Sequence, residues 1–172
     1  MSAPTAQDYL NRIRLREVAS ALIALSTENE PLDSPIRNGG ILSIMVLPSN
    51  SETTTSLSTR NVGNPGPKIS NYAHHAHEKL RRLYTRRGTG GRDVAASHSA
   101  DNVTTFGGAI FFRADVVDVY ISLSGAPPKV DEAIAYVIGE KLGLPAPQGY
   151  ENSLLERARE LLIYVIQLDV DI

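Results

Sequence analysis

The sequence contains no cysteine and no tryptophan, and aromatic residues make up only 6% of it. The absence of cysteine excludes a disulfide framework, a cysteine-ligated zinc or iron–sulfur centre, and a thiol nucleophile. No apolar run approaches the roughly 18 residues of a membrane span, and the N-terminal stretch lacks the apolar core of a signal peptide. We therefore predict a soluble, cytoplasmic protein with no membrane partner.

The chain also has little net charge. Its 17 Lys and Arg residues against 19 Asp and Glu residues give a formal charge of −2. A chain with this balance has no overall electrostatic attraction to nucleic acid. The few aromatic residues are not interleaved with arginines, so a stacking platform for bases is missing as well. We expect no nucleic-acid partner.

The size and the hydrophobic content fit one domain. Of the 172 residues, 42% are hydrophobic, which is enough for a single ordinary core over residues 1–172. Hydrophobic spacing predicts the order helix, two strands, helix, two strands, helix, helix. This order is typical of an α+β fold with a mostly antiparallel sheet covered by helices.

The predicted elements follow from apolar periodicity and from Gly and Pro positions. Four helices are predicted. The first begins at Thr5 and continues through Leu25, the second spans Ile69–Arg86, the third begins at Pro127–Pro128 and ends at Gly143, and the fourth spans Ser153–Gln167. The predicted strands are Ile41–Leu47, Glu52–Thr59, Thr104–Arg113 and Val116–Ser124. We expect loops over residues 26–40 and 61–68.

The C-terminal segment is apolar on almost every side in its second half. An isolated surface helix would not tolerate this, so we predict that it packs in the core and also against another subunit. Residues 150–172 are then an extension that takes part in oligomer packing. A strand over Leu161–Leu168 is the alternative.

The junction that follows the fourth predicted strand has a simple structural explanation. Gly125 can take a backbone conformation that bulkier residues resist, and Ser124 can cap the next helix. Pro128 suits the first helical turn, and Asp131 and Glu132 suit the positive end of the helix dipole. A direct ligand role of the junction is the alternative.

One part of the chain is more specific than a fold class. It reads Phe106-Gly-Gly-Ala-Ile-Phe-Phe112, a short turn, and then Tyr120-Ile-Ser-Leu-Ser-Gly-Ala-Pro-Pro-Lys-Val-Asp-Glu-Ala133. It resembles the haem-degrading, or glycolate-operon-associated, family of small proteins, in which a Gly-Gly turn, two strands, a Ser-Gly-Ala-Pro junction and a helix follow one another. The resemblance covers roughly residues 8–143.

This resemblance implies both a fold and a function. It implies a profilin-like antiparallel sheet of about five strands flanked by helices, to which the apolar C-terminal helix is an addition. Family members form oligomers and include haem binders, a haem degrader and adaptor-like forms. We therefore expect a homo-oligomer that binds haem or another flat, anionic small ligand, and the resemblance allows haem degradation as a further activity.

Three of the four histidines lie close together on the predicted central helix. His74 and His77 are one turn apart, His77 borders the apolar stripe, and His74 and His75 point away from it. A neutral imidazole can ligate haem iron, so we predict His77 as the ligand and His74 with His77 as metal-binding residues. The alternative is that these histidines only pack and form hydrogen bonds.

The same helix and its exit carry six cations, which are Lys79, Arg81, Arg82, Arg86, Arg87 and Arg92. Because an arginine fork binds carboxylates and phosphates through two bonds, Arg81 and Arg82 are predicted to hold haem propionates. Pairing with Glu78 and Asp93 on a solvated face is one alternative. A non-enzymatic scaffold that presents this basic helix to an acidic protein partner is the other.

A third set of residues lies around the predicted Gly-Gly turn. If the chain is an enzyme with a pocket between subunits, His98 and Asp101 are the candidates for general acid or base. Phe106 would supply an aromatic wall, and Gly107 and Gly108 would let the backbone approach the ligand. The alternative is a loop cap and a β-bulge.

Overall fold

The computed structural model of the chain describes residues 3–31, 37–49, 55–87, 107–147 and 149–165. In chain order its elements are α1 (Ala6–Asn11), α2 (Leu15–Asn29), β1 (Gly39–Pro48), β2 (Ser56–Gly63), α3 (Ile69–Arg87), β3 (Ala109–Arg113), β4 (Val117–Ser124), α4 (Pro128–Lys141) and α5 (Leu155–Val165). A short 3-10 turn, Gly66–Lys68, leads into α3. No helix in these ranges combines the length and apolar character that crossing a membrane requires.

The four strands form one antiparallel sheet in the order β2-β1-β4-β3. In its register, Ile44 of β1 lies between Ser58 of β2 and Ile121 of β4. The predicted α+β class with a helix-covered antiparallel sheet is confirmed. The described residues contain four strands, and the fifth that the resemblance implies is not among them.

Alternation along the strands divides the buried residues into two layers. Leu42, Ile44 and Val46 of β1 face a large core shared with α1, α2, α4 and α5. Met45 and Leu47 face the opposite way, into a smaller core under α3. This is the period of two that a sheet covered on both faces requires. Among the described residues, α1, α2 and α4 therefore pack on one face, with α5 over α2 and α4, and α3 packs on the other.

Two predicted helices and the second hairpin are confirmed. Helix α3 begins at Ile69 as predicted, and α4 begins at Pro128, where proline suits the first turn. The predicted inner face of α4 is buried throughout, and it consists of Val130, Ala133, Ile134, Val137 and Ile138. Strands β3 and β4 lie within the predicted ranges.

The prediction of one long N-terminal helix is wrong. Helix α1 begins with a capping box, in which Asp8 N–H donates to Thr5 Oγ1 and Thr5 N–H donates to the Asp8 carboxylate. The chain then turns before α2 begins at Leu15 and continues to Asn29, into the predicted loop. This turn lets the buried side chains of both helices enter the same core.

The second strand is displaced from its predicted position. It spans Ser56–Gly63 instead of Glu52–Thr59, and residues 52–54 lie outside the described part of the chain. The register brings Val62 into the large core opposite Gly40, so burial of this valine extends the strand into the predicted loop. Gly63 ends the strand with a φ of +61°, a conformation that favours glycine.

Helix α5 packs on α2 and α4 through Ala158 and Leu162, which are fully buried. At its border with α2, Arg157 forms an exposed ion pair with Glu28. Residues 161–165 are helical, so the alternative of a strand is wrong there. Residues 166–172 lie outside the described part of the chain.

Candidate functional site

Helix α3 does not cover the whole of its side of the sheet. A four-stranded sheet is about 15 to 20 Å wide, whereas a helix with its side chains is about 10 Å across. Helix α3 packs on β1, β4 and β3, so β2 lies beside it. Leu57, which points to this side from β2 and pairs with the partly buried Met45 of β1, is therefore 50% exposed.

Polar side chains join α3 to β2 at this uncovered strip. His77 Nε2 lies 2.9 Å from the hydroxyl of Thr59, which lies 3.0 Å from the hydroxyl of the buried Ser43. Arg81 follows His77 by four residues on the same side of the helix, and both are exposed. We call Met45, Leu57, Thr59, His77 and Arg81 the α3–β2 surface.

The contact with Thr59 orients the imidazole of His77. With Nε2 bonded to the hydroxyl, Nδ1 is the ring nitrogen left for a ligand. A hydrogen bond to the second nitrogen is also what fixes the tautomer and the orientation of histidines that bind metals. His74, three residues earlier, is exposed on the same side of α3.

The predicted placing of the three histidines is partly wrong. His77 does border the buried stripe and contacts β2, but its side chain is exposed. His75 was predicted to point away and is half-buried, and this burial, together with the nearby Lys79, lowers its pKa. The stripe is centred on Ala76 and Leu80, so His75 and His77 flank it on opposite sides.

The described residues contain no group of three or more His, Asp or Glu side chains that could hold a metal ion. His74 and His77 thus offer at most a two-residue set within these ranges. His98, the histidine considered as a general acid or base, lies outside them, as do Asp101 and Phe106. Their predicted roles stay predictions.

The structure corrects the predicted basic face of α3. Lys79 is only 1% exposed, and its ammonium donates to Leu123 O at 2.7 Å and to Asp131 Oδ2 at 2.9 Å. Arg82 is paired with Glu78 at 2.6 Å. Of the predicted cations with described side chains, Arg81 and Arg86 remain exposed. This leaves a smaller basic surface for the adaptor alternative.

The Lys79–Asp131 ion pair joins the two sides of the sheet. Lys79 belongs to α3 on one face, and Asp131 belongs to α4 on the other. The two side chains meet beside the end of β4, where Asp131 Oδ1 also accepts the Ala126 N–H at 3.0 Å. Burial raises the pKa of Asp131 to about 6, and Lys79 and the backbone N–H groups oppose the rise.

Gly108 provides the space through which the Lys79 side chain passes. Its φ is +117°, and a Cβ at this position would lie 2.9 Å from Lys79 Nζ and 2.7 Å from Asp131 Cβ. Only glycine therefore fits here without displacement of the ion pair. Gly108 was predicted to let the backbone approach a ligand, and the structure shows that it accommodates a buried lysine.

Sequence reasoning missed this ion pair, although one signal was present. Lys79 lies three residues after Ala76 and four before Leu83, which places it within the apolar stripe of α3. A lysine in such a position needs a buried partner. Asp131 was assigned only to the helix dipole.

The Ser-Gly-Ala-Pro junction is structural, but for different reasons than predicted. Gly125 does not have a positive φ; a Cβ there would lie 2.6 Å from the Cα of Gly40, so close backbone contact requires glycine. No side chain caps α4 at Pro127. The Asp131 carboxylate bonds back to the junction instead, which leaves Ser124 without the predicted capping role.

A second concave feature lies on the opposite side of the sheet. An open cleft of about 870 Å³ lies between the start of α4 and α5, and its lining includes Gly107, Lys129, Glu132, Tyr150, Asn152 and Glu156. The Tyr150 ring stacks on Tyr136 at 4.6 Å. Burial and the nearby Glu132 raise the pKa of Tyr150.

The predicted binding residues do not form one pocket. Gly107 lines the cleft beside α4, whereas His77 and Arg81 lie on α3 and do not line it. Gly108 lies against the ion pair between these two regions. The structure therefore brings His77 and Arg81 together and separates Gly107 from them.

The chain matches no protein-family model, no curated protein and no solved structure. The likeness to the haem-degrading family accordingly stays a prediction from the sequence.

Proposed function

We propose that the protein is an oligomeric small-ligand binding protein whose α3–β2 surface takes a flat anionic ligand of the haem class. The proposal depends on one observation, which is the exposed imidazole of His77, oriented by Thr59 beside the exposed Arg81. A recognition group held in place loses less conformational entropy when it binds.

The chemistry of the surface suits an amphipathic ring. Leu57 and Met45 offer apolar contact to a ring face, since Leu57 is half-exposed and neighbours Thr59 on the same strand face. Arg81 suits a carboxylate through its two-pronged guanidinium. When haem is bound, its iron supplies redox chemistry, and His77 Nδ1 is the nitrogen placed to bind it or to donate to a propionate.

Arg82 has a lesser part in this proposal than the sequence predicts. Its guanidinium is held by Glu78, so an anionic ligand would have to compete with an existing ion pair. Arg81 lies on the same turn as His77 and has no such partner among the described residues. The propionate role therefore belongs chiefly to Arg81.

The open α3–β2 surface is also the reason why we include an oligomer in the proposal. Within the described ranges, the α3–β2 surface has a helix on one side only, so a ligand that contacts these residues alone would keep much of its area in water. Small-molecule sites usually bury most of the ligand. A second copy of the chain would provide the missing wall.

A hemin titration tests the proposal. We expect a shift of the Soret band for the wild type, at least tenfold weaker binding for His77→Ala, and a smaller loss for Arg81→Ala. Arg16→Ala is the matched control, because Arg16 is an exposed arginine on α2, across the sheet from α3. An unchanged spectrum at stoichiometric hemin would remove the proposal.

The role of His77 is resolved by metal-free protoporphyrin IX. If His77 binds iron, its replacement weakens hemin binding and leaves the binding of the metal-free ring unchanged. If His77 donates to a propionate, both ligands lose affinity by similar factors. Equal binding of both ligands by wild type and His77→Ala would contradict a ligand role for this residue.

A further inference from the structure

We infer that the buried Lys79–Asp131 ion pair is a positioning device for the α3–β2 surface, because it fixes the rotation of α3 about its own axis. Its ligand readout rests on the proposed function. Lys79 itself is buried and cannot contact a ligand on that surface.

The inner face of α3 is otherwise mostly apolar. The side chains of Ala76, Leu80 and Leu83 pack on the sheet through contacts that have no directional preference. The buried hydroxyl of Ser122 on β4 donates to the backbone carbonyl of Ala76 at 2.9 Å, which is a directional bond near the start of this face. Lys79 adds directional bonds, to Leu123 O at the end of β4 and to Asp131 at the start of α4. Both acceptors belong to regular elements, so the ammonium has one place to lie.

The position of Lys79 along α3 connects this anchor to the ligand surface. Lys79 is two residues from His77 and two from Arg81, and residues two apart lie on nearly opposite faces of a helix. A 20° rotation of α3 would move an atom about 6 Å from the axis by about 2 Å. Such a movement would break the 2.9 Å contact between His77 and Thr59.

The energetics also favour a positioning role over one in stability. Desolvation of two charges largely cancels their attraction, so neutral replacement of a buried pair is often harmless to stability. The fold nevertheless provides this pair with a glycine at position 108, a strand-end carbonyl and two N–H groups of the Gly125–Ala126 turn. These features are all needed to place one ammonium.

The double variant Lys79→Met/Asp131→Asn separates position from stability. It leaves no stranded charge, and the oxygen of the introduced amide can still accept the Ala126 N–H. Arg157→Met is the matched control, because it also removes a cation from an ion pair, in this case the exposed pair with Glu28. Lys79→Met alone is the second variant, should the double variant fail to fold.

Two measurements are made on each protein: hemin affinity by Soret titration, and the hydrogen bonding of His77 Nε2 from the nitrogen chemical shift of that atom. We expect at least tenfold weaker hemin binding and a shifted Nε2 resonance for the double variant, with its unfolding midpoint close to that of the wild type. Arg157→Met should leave both measurements unchanged.

The outcomes distinguish the inference from the proposed function. Wild-type protein that binds hemin, together with a folded double variant that binds it within twofold, would overturn the inference. Wild-type protein that does not bind hemin would overturn the proposed function, and the His77 ring then decides the inference alone. An unchanged Nε2 resonance refutes it, and a shifted Nε2 resonance supports it.

Discussion

At the scale of single residues, Lys79 and Asp131 are equally buried but differently supported. Without Lys79, the Asp131 carboxyl keeps the N–H of Ala126 and can accept a proton. Without Asp131, the Lys79 ammonium keeps only the carbonyl of Leu123. Replacement of Lys79 and replacement of Asp131 should therefore lower the free energy of unfolding by unequal amounts.

We expect Asp131→Asn to lower the free energy of unfolding by about 3 to 5 kcal/mol, since it strands a buried charge. Lys79→Met should lower it by less. Urea denaturation at neutral pH measures both values. The control Arg157→Met, which removes an exposed ion pair, should change the free energy of unfolding by about 0 to 1 kcal/mol. A larger loss for Lys79→Met than for Asp131→Asn would contradict this account of the site.

The same carboxyl predicts a dependence of stability on pH. Its pKa of about 6 in the folded protein exceeds the ordinary value of 3.8, so the folded state holds the proton more tightly than the unfolded state does. The stability contributed by Asp131 is therefore fully present below pH 3.8 and is lost as the pH rises through 6.

The double variant Lys79→Met/Asp131→Asn lacks this titration and serves as the reference. Between pH 4 and pH 7, the stability of the wild type should fall relative to that of the variant by up to about 3 kcal/mol. Chemical denaturation across this pH range measures the difference. A stability difference that stays constant over this range would show that Asp131 titrates in its ordinary range, and one that rises with pH would show that its pKa in the folded protein lies below 3.8.

At the scale of elements, α4 illustrates packing that overrides helix propensity. Gly139 lies within α4, where alanine would ordinarily be favoured by about 1 kcal/mol. A Cβ at this position would enter the ring of Phe112 on β3, because several ring carbons lie within 2.6 Å of it. The glycine therefore lets the helix approach the sheet.

We expect Gly139→Ala to destabilise the protein by about 1 to 3 kcal/mol, against its helix propensity. Thermal unfolding measures the loss. Addition of Phe112→Leu should restore part of the stability, since the smaller side chain gives room to the methyl group. Equal losses from Gly139→Ala with and without Phe112→Leu would mean that the clash with the ring is not the cause.

Elements with their own start signal and a complete apolar stripe could be predicted from the sequence. Helices α3 and α4 have both, and their bounds agree with the prediction almost to the residue. The break between α1 and α2 has no Gly or Pro to announce it, and it follows from where the core lies. The displacement of β2 follows from its pairing with β1, which local composition does not encode.

The candidate site was predictable only in part, for a similar reason. Helical spacing was sufficient to place His77 and Arg81 on one side of α3. The partner of His77 is Thr59, 18 residues away in sequence, and the partner of Lys79 is Asp131, 52 residues away. Such long-range pairs depend on the sheet order, which the sequence pattern leaves open.

At the scale of the whole molecule, the layers are unequal. In the described part of the chain, α1, α2 and α4 pack on one side of the sheet, with α5 over α2 and α4, and α3 packs on the other side and leaves the strip over β2 exposed. An element order with one helix between two hairpins leads to this arrangement, because that helix must cross one face alone. The open surface is thus a consequence of topology, and association is one way to cover it.

The predicted oligomer gives the last test, which concerns α5 and the 150–172 segment. Helix α5 turns Ala158 and Leu162 inwards, yet Ile163 on its outer side is 62% exposed. If a second copy packs on this side of α5, burial of the isoleucine would stabilise the contact. Native mass spectrometry should show an oligomer for the wild type and a shift towards the single chain for Ile163→Asp.

Ile163→Val is the control, because it keeps an apolar side chain and should preserve the assembly. A charged residue at an interface costs free energy that solvent exposure does not, so Ile163→Asp should have little effect on the fold of one chain. A wild-type protein with the mass of a single chain at micromolar concentration would remove the oligomer. An oligomer that survives Ile163→Asp would place the contact elsewhere, with the uncovered β2 side as the next surface to be tested.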